Sequence, residues 1–547
     1  MKIYLFFYIF ISYCVTAQNY TLVINSKDSI ENKAINSIGY LKNHASVKNL
    51  NLEWESFKFS IEQKGYFEWE LIHLKKENDS VFNFTIYLNK KSDFIPIYIG
   101  KEINKLQLDV LPEKDSVWIK PERVENWLQS ISKSLEKKGF ALNKVSLTDF
   151  FIENEKTTAL LSVSTGAERR VSKINIIGYD LFPIGYKKHL DRLFLNALFT
   201  DDLIKKLNDE INSLNFILTN RNAEVLFNNS NTEIYIYASK SKQNYFDGLM
   251  GFANSEQKKI SFNGYLDLNL LNSFNSGESN SIYWKNNGEK QTNLNLKTEW
   301  PFVFKTNFGI DGSITLFKND SLFQNSTTAA GIKYFLNTKS YIRSGIENQN
   351  SSPITNTPLY PQNKSIFYTI GGFYSSKKKI DFLKASKFSF EINYGNGKRE
   401  TKTISLQQQK LNISSVLFYE INPTNIVYTK TQFQFLKSTE YLNSELYRFG
   451  GINTIRGFRE NSLQGHFFTS LMTEYQFKAS SNLILHSIFD IGYFEDKTNE
   501  LKKNINGFGF GLKILRENSV FYLQIATSNN NPSLSNSLLH ISFLSFF

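Results

Sequence analysis

The chain has 547 residues, enough for several domains, and a formal net charge of +12. Its mean hydropathy is −0.33, and no internal stretch offers the roughly 20 apolar residues of a transmembrane helix; that excludes a helical membrane protein but not a barrel, whose strands need only alternate residues apolar. The lysines are scattered without a basic block, so nucleic acid is not an expected partner, and attraction to anionic lipid headgroups is the plainer reading of the charge.

Residues 1–17, MKIYLFFYIFISYCVTA, read as a secretory signal. Lys2 is the charged start, Ile3 to Tyr13 the apolar core, and Val15, Thr16 and Ala17 the small-residue cleavage site. Cys14 is the only cysteine, and bulky Tyr13 before it does not suit lipidation. Cleavage after Ala17 leaves a mature chain without cysteine, which excludes disulfides and Cys-ligated zinc.

Residues 19–243 mix helix and strand in three copies of one grammar, at roughly 75-residue spacing. In the first, 19–94, a strand at Tyr20–Ile24 precedes helical stretches to Gln63, a Lys-Gly-Tyr break at Lys64–Tyr66, and strands at Phe67–Leu74 and Val81–Leu88. In the second, 95–167, a strand near Ile95–Ile99 leads to a helix from Pro121 to Lys138, a Lys-Gly-Phe break, and two strands ending near Ser164; Pro121 suits a first helical turn. The third, 168–243, is the clearest: strand Arg170–Ile177, a turn at Gly178, helices Pro183–Leu195 and Asp201–Leu214, then strands Ala223–Phe227 and Thr232–Ala238. Asp201 and Asp202 stand where N-cap acids belong. This β-α-α-β-β order resembles a POTRA domain. Each small sheet has an edge strand, to which an extended client can add whatever its side chains.

From 245 to 547 helical periodicity gives way to alternation. Sixteen candidate strands follow, the first at 246–255, the fifth at 303–317, the ninth at 383–397 and the last at 538–547; an even count is the rule for bacterial single-chain barrels. Leu294, Leu296 and Thr298, for instance, alternate with Asn293, Asn295, Lys297 and Glu299.

After the eleventh strand comes a long loop containing Arg448 to Phe458, RFGGINTIRGF. Gly450 and Gly451 permit backbone angles that other residues resist, and Arg456, Gly457 and Phe458 follow. The next three strands each have an apolar face and a face of acids or bare glycine. Phe467, Leu471, Tyr475 and Phe477 oppose Phe468, Ser470, Met472, Glu474 and Gln476; Leu483, Leu485, Phe489, Ile491 and Tyr493 oppose His486, Asp490 and Gly492; Phe508, Phe510, Leu512 and Ile514 oppose Gly507, Gly509, Gly511 and Lys513. Bare glycine lets another piece of chain approach closely, so the pattern predicts an apolar outer wall and a cavity that receives a loop. In the last strand Leu539, Ile541, Phe543 and Phe547 share the lipid face, with Ser545 interrupting it.

This loop and its three strands resemble the BamA/TamA family of outer-membrane assembly factors. The resemblance implies a fold: α+β periplasmic POTRA repeats followed by an all-β, 16-stranded antiparallel transmembrane barrel. It also implies that the long loop folds back into the barrel with Arg456, Gly457 and Phe458 at its tip, facing Glu474 and Asp490, and that the terminal aromatics Phe543 and Phe547 serve as a sorting signal. The glycine at which some members bend the last strand has no counterpart in Leu538–Phe547. The implied location is the bacterial outer membrane with the repeats in the periplasm. The implied partners are unfolded outer-membrane or secreted client proteins, outer-membrane lipids, and periplasmic chaperones or accessory proteins. The implied role is a TamA-like insertion factor, the alternative being a two-partner secretion transporter for one exoprotein, which usually has two repeats and an N-terminal plug helix.

Catalytic patterns are not expected. His44, His73, His189, His466, His486 and His540 contain no helical metal pair, and there is neither a G-x-S-x-G elbow nor a phosphate loop. Tyr394–Arg399 (YGNGKR) reads as a turn at a strand end. Gly507–Gly511 (GFGFG) lacks the third glycine and the following helix of a dinucleotide fingerprint. Neither enzyme activity nor a cofactor is anticipated.

Overall fold

A computed structural model describes residues 19–112, 114–153, 156–229, 231–254, 260–286, 291–320, 322–355, 360–376, 388–529 and 536–547. The signal-like segment and Cys14 lie outside these residues. The chain divides into two compact units. One holds the described residues up to Arg170 together with Leu198–Asp201, and the other holds Val171–Ala197 with Asp202–Phe547.

The first unit contains two α/β repeats. In the first repeat β1 (Tyr20–Asn25), α1 (Ser29–Ile38), β2 (Asn43–His44), α2 (Val47–Gln63), β3 (Glu70–Lys76) and β4 (Val81–Tyr87) build a sheet ordered β2-β1-β4-β3. Asp28 caps α1 by accepting from the Ile30 amide at 2.6 Å, and Ser46 caps α2. Leu22, Leu50, Phe57, Ile61 and Ile86 are buried between helices and sheet. The second repeat runs β5 (Ile95–Tyr98), α3 (Lys101–Asn104), β6 (Ser116–Ile119), α4 (Pro121–Lys137), β7 (Lys144–Glu153) and β8 (Lys156–Ser164), in the order β6-β5-β8-β7. The sequence reading had neither α3 nor β6, both too short to show a period.

The third repeat has β9 (Val171–Ile177), α5 (Ile184–Phe194), α6 (Asp201–Asn212), β10 (Ile217–Thr219), β11 (Glu224–Phe227) and β12 (Thr232–Lys240). β12 pairs with β9 in parallel and with β10 and β11 antiparallel. The three-residue β10 was not anticipated.

Sixteen strands then close into a barrel: β13 (Tyr245–Asn254), β14 (Ile260–Leu271), β15 (Ser279–Asn286), β16 (Gln291–Trp300), β17 (Phe308–Asn319), β18 (Phe323–Asn337), β19 (Ser340–Pro353), β20 (Asn363–Ser375), β21 (Phe388–Thr401), β22 (Ser405–Asn422) and β23 (Asn425–Lys437), then, beyond a hairpin of β24 (Tyr447–Phe449) and β25 (Leu463–Gly465), β26 (Phe467–Lys478), β27 (Leu483–Asp496), β28 (Leu501–Arg516), β29 (Ser519–Ser528) and β30 (Leu538–Phe546). The exterior is apolar: Ile310, Ile332, Ile342, Tyr368, Ile370, Leu485, Phe489 and Phe510 are exposed, while Lys333, His486 and Asp490 are buried inside. An outward apolar wall with inward polar groups suits hydrocarbon. No helix among the described residues is long and apolar enough to cross a membrane.

Several strand ends differ from the alternation pattern, by up to five residues; the ninth, for one, runs to Thr401 and not 397. The fifth barrel strand starts at Phe308, not 303, because Phe302, Phe304 and Lys305 adopt left-handed backbone (φ 51, 53 and 61) in a turn held by the third repeat. Phe302 is buried against Tyr186, His189 and Phe335, at ring distances of 4.6, 4.4 and 4.8 Å. Arg192 donates to the Lys305 carbonyl and to Asn307 Oδ1, each at 2.6 Å. At the other end, the last strand stops at Phe546, and Phe547 only adds one amide bond, 3.0 Å to the Asn244 carbonyl. The ninth strand is described from Phe388; its expected start at 383 lies outside the described residues.

The docked turn should be sensitive to acid. His189 Nδ1 lies 3.1 Å from Asn307 Oδ1, an amide oxygen that can only accept, and its buried Nε2 has no partner among the described residues. Burial holds the imidazole below its usual range, partly offset by the Asn307 bond. A depressed histidine binds its proton more readily when the dock is open, so the dock weakens as pH falls below about 6.5. Hydrogen exchange over residues 302–307, corrected for intrinsic rates, should quicken between pH 7.5 and 5.5 in the wild type and not in His189→Gln. Equal pH dependence in the two would disprove the role.

Candidate functional site: the loop inside the barrel

The connection between β23 and β26 turns into the barrel instead of away from it. Its base is the β24–β25 pairing, Tyr447↔Gly465 to Phe449↔Leu463. Gly450 and Gly451 follow at φ 104 and 94, and their missing side chains make room for the returning chain at Arg459 and Glu460. The tip is then aimed at the wall of β26, β27 and β28.

Arg456 is 1% exposed. Its Nε and Nη2 grip Asp490 at 2.8 and 2.6 Å, Nη1 reaches Glu474 at 2.5 Å, and Nη2 also reaches the Thr473 carbonyl at 3.2 Å. The Arg456 amide donates to the same Asp490 at 2.9 Å. This is the paired fork geometry that suits guanidinium to carboxylate. Glu474 spends its second oxygen on Lys513 at 3.0 Å and Gln476 at 2.7 Å. The β26–β27 ladder pairs through Thr473↔Phe489, skips Glu474 and Tyr475, and resumes at Gln476↔His486. The gap falls beside the carbonyl that the guanidinium takes. At about 4 Å and an effective dielectric near 20 each charge pair attracts by about 4 kcal/mol before desolvation, and here every guanidinium nitrogen is bonded, which is what a buried cation requires.

The glycines divide in two. Gly507 and Gly457 serve the loop: a β-carbon on Gly507 would run into the Arg456 carbonyl, and Gly457, at φ 85, lies on the Thr527 backbone of β29. Gly492 leaves room for Ile455, whose side chain would be 3.0 Å from an added β-carbon. Gly509 and Gly511, expected to receive the loop, do not; Gly509 faces the Ile525 carbonyl of the neighbouring strand and Gly511 accommodates His486. Gly507→Ala should therefore displace the tip at a cost of about 1–3 kcal/mol and raise protease cleavage in the loop. Gly312→Ala, whose new carbon would sit 3.7 Å from Thr298, should not.

Sequence reasoning treated the lumen side as polar and missed a core within it. Phe449, Ile455 and Phe458 pack on Phe468, Phe494 and Ile505. Phe449 stacks on Phe468 at 4.0 Å and meets Phe494 edge-on at 5.1 Å. The apolar residues on the inward face of β26 and β27 were the available signal. Also missed was a second buried pair at the root of the loop, Arg399 Nη1 to Glu445 at 2.7 Å, 2% and 4% exposed by side chain. Among strands β15 to β22 lies a polar cavity of about 450 Å³, lined by Lys297, Glu299, Asp311, Lys333, Arg343 and Lys410 among others.

The barrel closes by the weakest of its ladders. β13 and β30 pair only at Tyr245↔Phe546, Phe246↔Ser545 and Asp247↔Leu544, whereas β13 pairs β14 along its whole length, Tyr245↔Asn269 to Asn254↔Ile260. Where the ladder stops, the Asp247 carboxylate takes over. It accepts from the Phe543 amide at 3.1 Å, Ser542 Oγ at 2.5 Å and Tyr265 Oη at 2.7 Å. The expected sorting residues Phe543 and Phe547 stand exposed on the outer face with Leu539 and Ile541. The wall is also short beside the seam. The seam strand β30 has 9 residues against 18 in β22; at 3.3 Å per residue and a tilt near 45°, nine residues rise about 21 Å, less than the roughly 30 Å hydrocarbon core.

No family model matches the chain, and no curated protein matches it. Solved structures do. CdiB from Escherichia coli aligns over 91% of this chain and 97% of its own, at 11% identity and a TM-score of 0.55. CdiB from Acinetobacter baumannii aligns over 84% and 91%, at 10% identity and a TM-score of 0.52. BamA from Haemophilus ducreyi lacking POTRA domains 1-3 aligns over 82% and 98%, at 14% identity and a TM-score of 0.46. By fold, the chain resembles the CdiB structures, with α/β repeats ahead of a closed antiparallel barrel of sixteen strands.

Proposed function

We propose that the protein works in the bacterial outer membrane as an insertion factor for outer-membrane or secreted proteins, with its repeats receiving clients in the periplasm. The observation that carries this reading is the seam, three residue pairs long and closed by a short last strand. Past Asp247 the described residues of β30 and β13 share no backbone ladder; the Phe543 amide and the Ile541 carbonyl are met only by the Asp247 and Tyr265 side chains, and an edge held by side chains alone is a template for another strand. The bilayer beside a short wall thins to match it, which lowers the barrier to a client crossing there.

The repeats fit the same task. β3 ends its sheet and is exposed along its whole length, with Leu71, Ile72 and Leu74 uncovered. β7 ends the second sheet with Phe150 and Ile152 exposed. Both are available for strand addition by an extended client. In this reading the arginine site performs no bond chemistry; Arg456 pins the loop and braces the last strands. Chaperones or accessory proteins would meet the same periplasmic edges.

A two-partner secretion transporter is the second reading, favoured by the fold likeness to CdiB. Against it stand the three α/β repeats, where such a transporter usually has two. Depletion in the native host separates the two. Loss of many barrel proteins from the outer membrane supports insertion, loss of one exported product supports the transporter, and an unchanged envelope overturns both.

A further inference from the structure

Four residues beyond Arg456 the loop makes a second attachment, to the opposite flank of the seam. Glu460 forms an ion pair with Lys285 and accepts from Tyr283 Oη at 3.3 Å. Both partners lie on β15, which joins the seam strand β13 through β14. On the other flank Arg456 holds β26 and β27, and Gly457 lies against β29. The short segment from Gly457 to Glu460 thus passes, on the lumen side, over β30, the seam, β13 and β14.

The span leaves little slack. From β29 to β15 are four strand spacings, an arc of about 19 Å. Three residues reach at most about 11 Å, and the Glu460 and Lys285 side chains supply the rest. Separating the seam by one more strand width, about 4.8 Å, cannot leave both attachments in place. The two differ in exposure. Arg456 and Asp490 are sealed, whereas the Lys285 and Glu460 side chains are 28% and 20% exposed, where water and salt weaken an ion pair.

We infer that the loop is a strap across the seam, and that Glu460–Lys285 is the end that lets go when the seam opens. This rests on the seam being the working edge of the protein, but its test needs no client. The reporter is hydrogen exchange at the seam amides of residues 245–247 and 544–546, in purified protein in liposomes; its rate follows the fraction of time the seam is open. Lys285→Gln and Glu460→Gln should each speed it by about fivefold. The exchanged pair, Lys285→Glu with Glu460→Lys, should return it to the wild-type rate. Lys430→Gln is the control, since Lys430 reaches the Asn453 carbonyl at 2.8 Å from β23, away from the seam, and should leave the rate unchanged. Wild-type rates in both single variants, no recovery in the exchanged pair, or an equal increase in Lys430→Gln would each overturn the strap. An envelope unchanged on depletion, by contrast, would fail the functional reading and leave these rates as they are.

Discussion

Arg456→Ala should free the loop tip while leaving the sixteen strands assembled. The substitution strips Asp490, which is 0% exposed, of its bidentate partner and of its charge balance. Glu474 keeps Lys513 and Gln476. Removing one member of a buried pair costs about 3–5 kcal/mol, chiefly because the other charge stays behind unpaired. The barrel wall does not depend on that term, since its ladders are formed strand to strand, and the Phe449 cluster still holds the root of the loop. The loss therefore falls on residues 452–462. Limited proteolysis should cut there in the variant and not in the wild type, and client assembly should fall with it. Arg456→Lys keeps the charge but gives up the fork, so its protection should lie between the two. Wild-type protection in Arg456→Ala would show that the cluster alone holds the loop and that the arginine does not pin it.

How far the sequence reaches can be judged from particular strands. The two faces of β26 and β27 were legible because one had to meet hydrocarbon: Leu471, Tyr475, Leu485, Phe489 and Ile491 are exposed while Ser470, Glu474, His486 and Asp490 are buried. A period of two with that contrast leaves one register. The start of β17 was not legible, because Phe302 and Phe304 continue the apolar pattern while the third repeat bends their backbone; tertiary packing overrides local pattern there. The contact of Arg456 with Glu474 and Asp490 followed from a family resemblance and not from spacing, since nothing local in the chain says which lumen acids a loop will meet. The same reason hid Glu445, Glu460 and Asp247. Each is an ordinary acid in an ordinary stretch, and its importance comes from what lies across the barrel. The glycine row was read as one surface, yet only Gly507 in β28 faces the loop; an inward glycine can equally serve its neighbouring strand or a large inward side chain.

Locking the seam should abolish function with the fold intact. Phe246 and Ser545 stand opposite each other in the short β13–β30 ladder, close enough across adjacent strands for a disulfide to form. In the oxidised double-cysteine protein β13 cannot part from β30, so a client strand cannot add between them. Growth or client assembly in a depletion strain should fail under oxidation and recover on reduction. The same pair placed one ladder inward, at Phe246 and Leu268 of β13 and β14, crosses a long ladder that the proposed mechanism never opens, and should be silent in both states. The asymmetry between these two cross-links is the informative quantity. Asp247→Asn sharpens it, because the seam's last bonds depend on that carboxylate: the weakened acceptor should speed opening, and the lock should then matter more. A locked seam that still assembled clients would mean that they leave through the lumen, past a loop that would have to vacate it, and would move the reading to the secretion transporter.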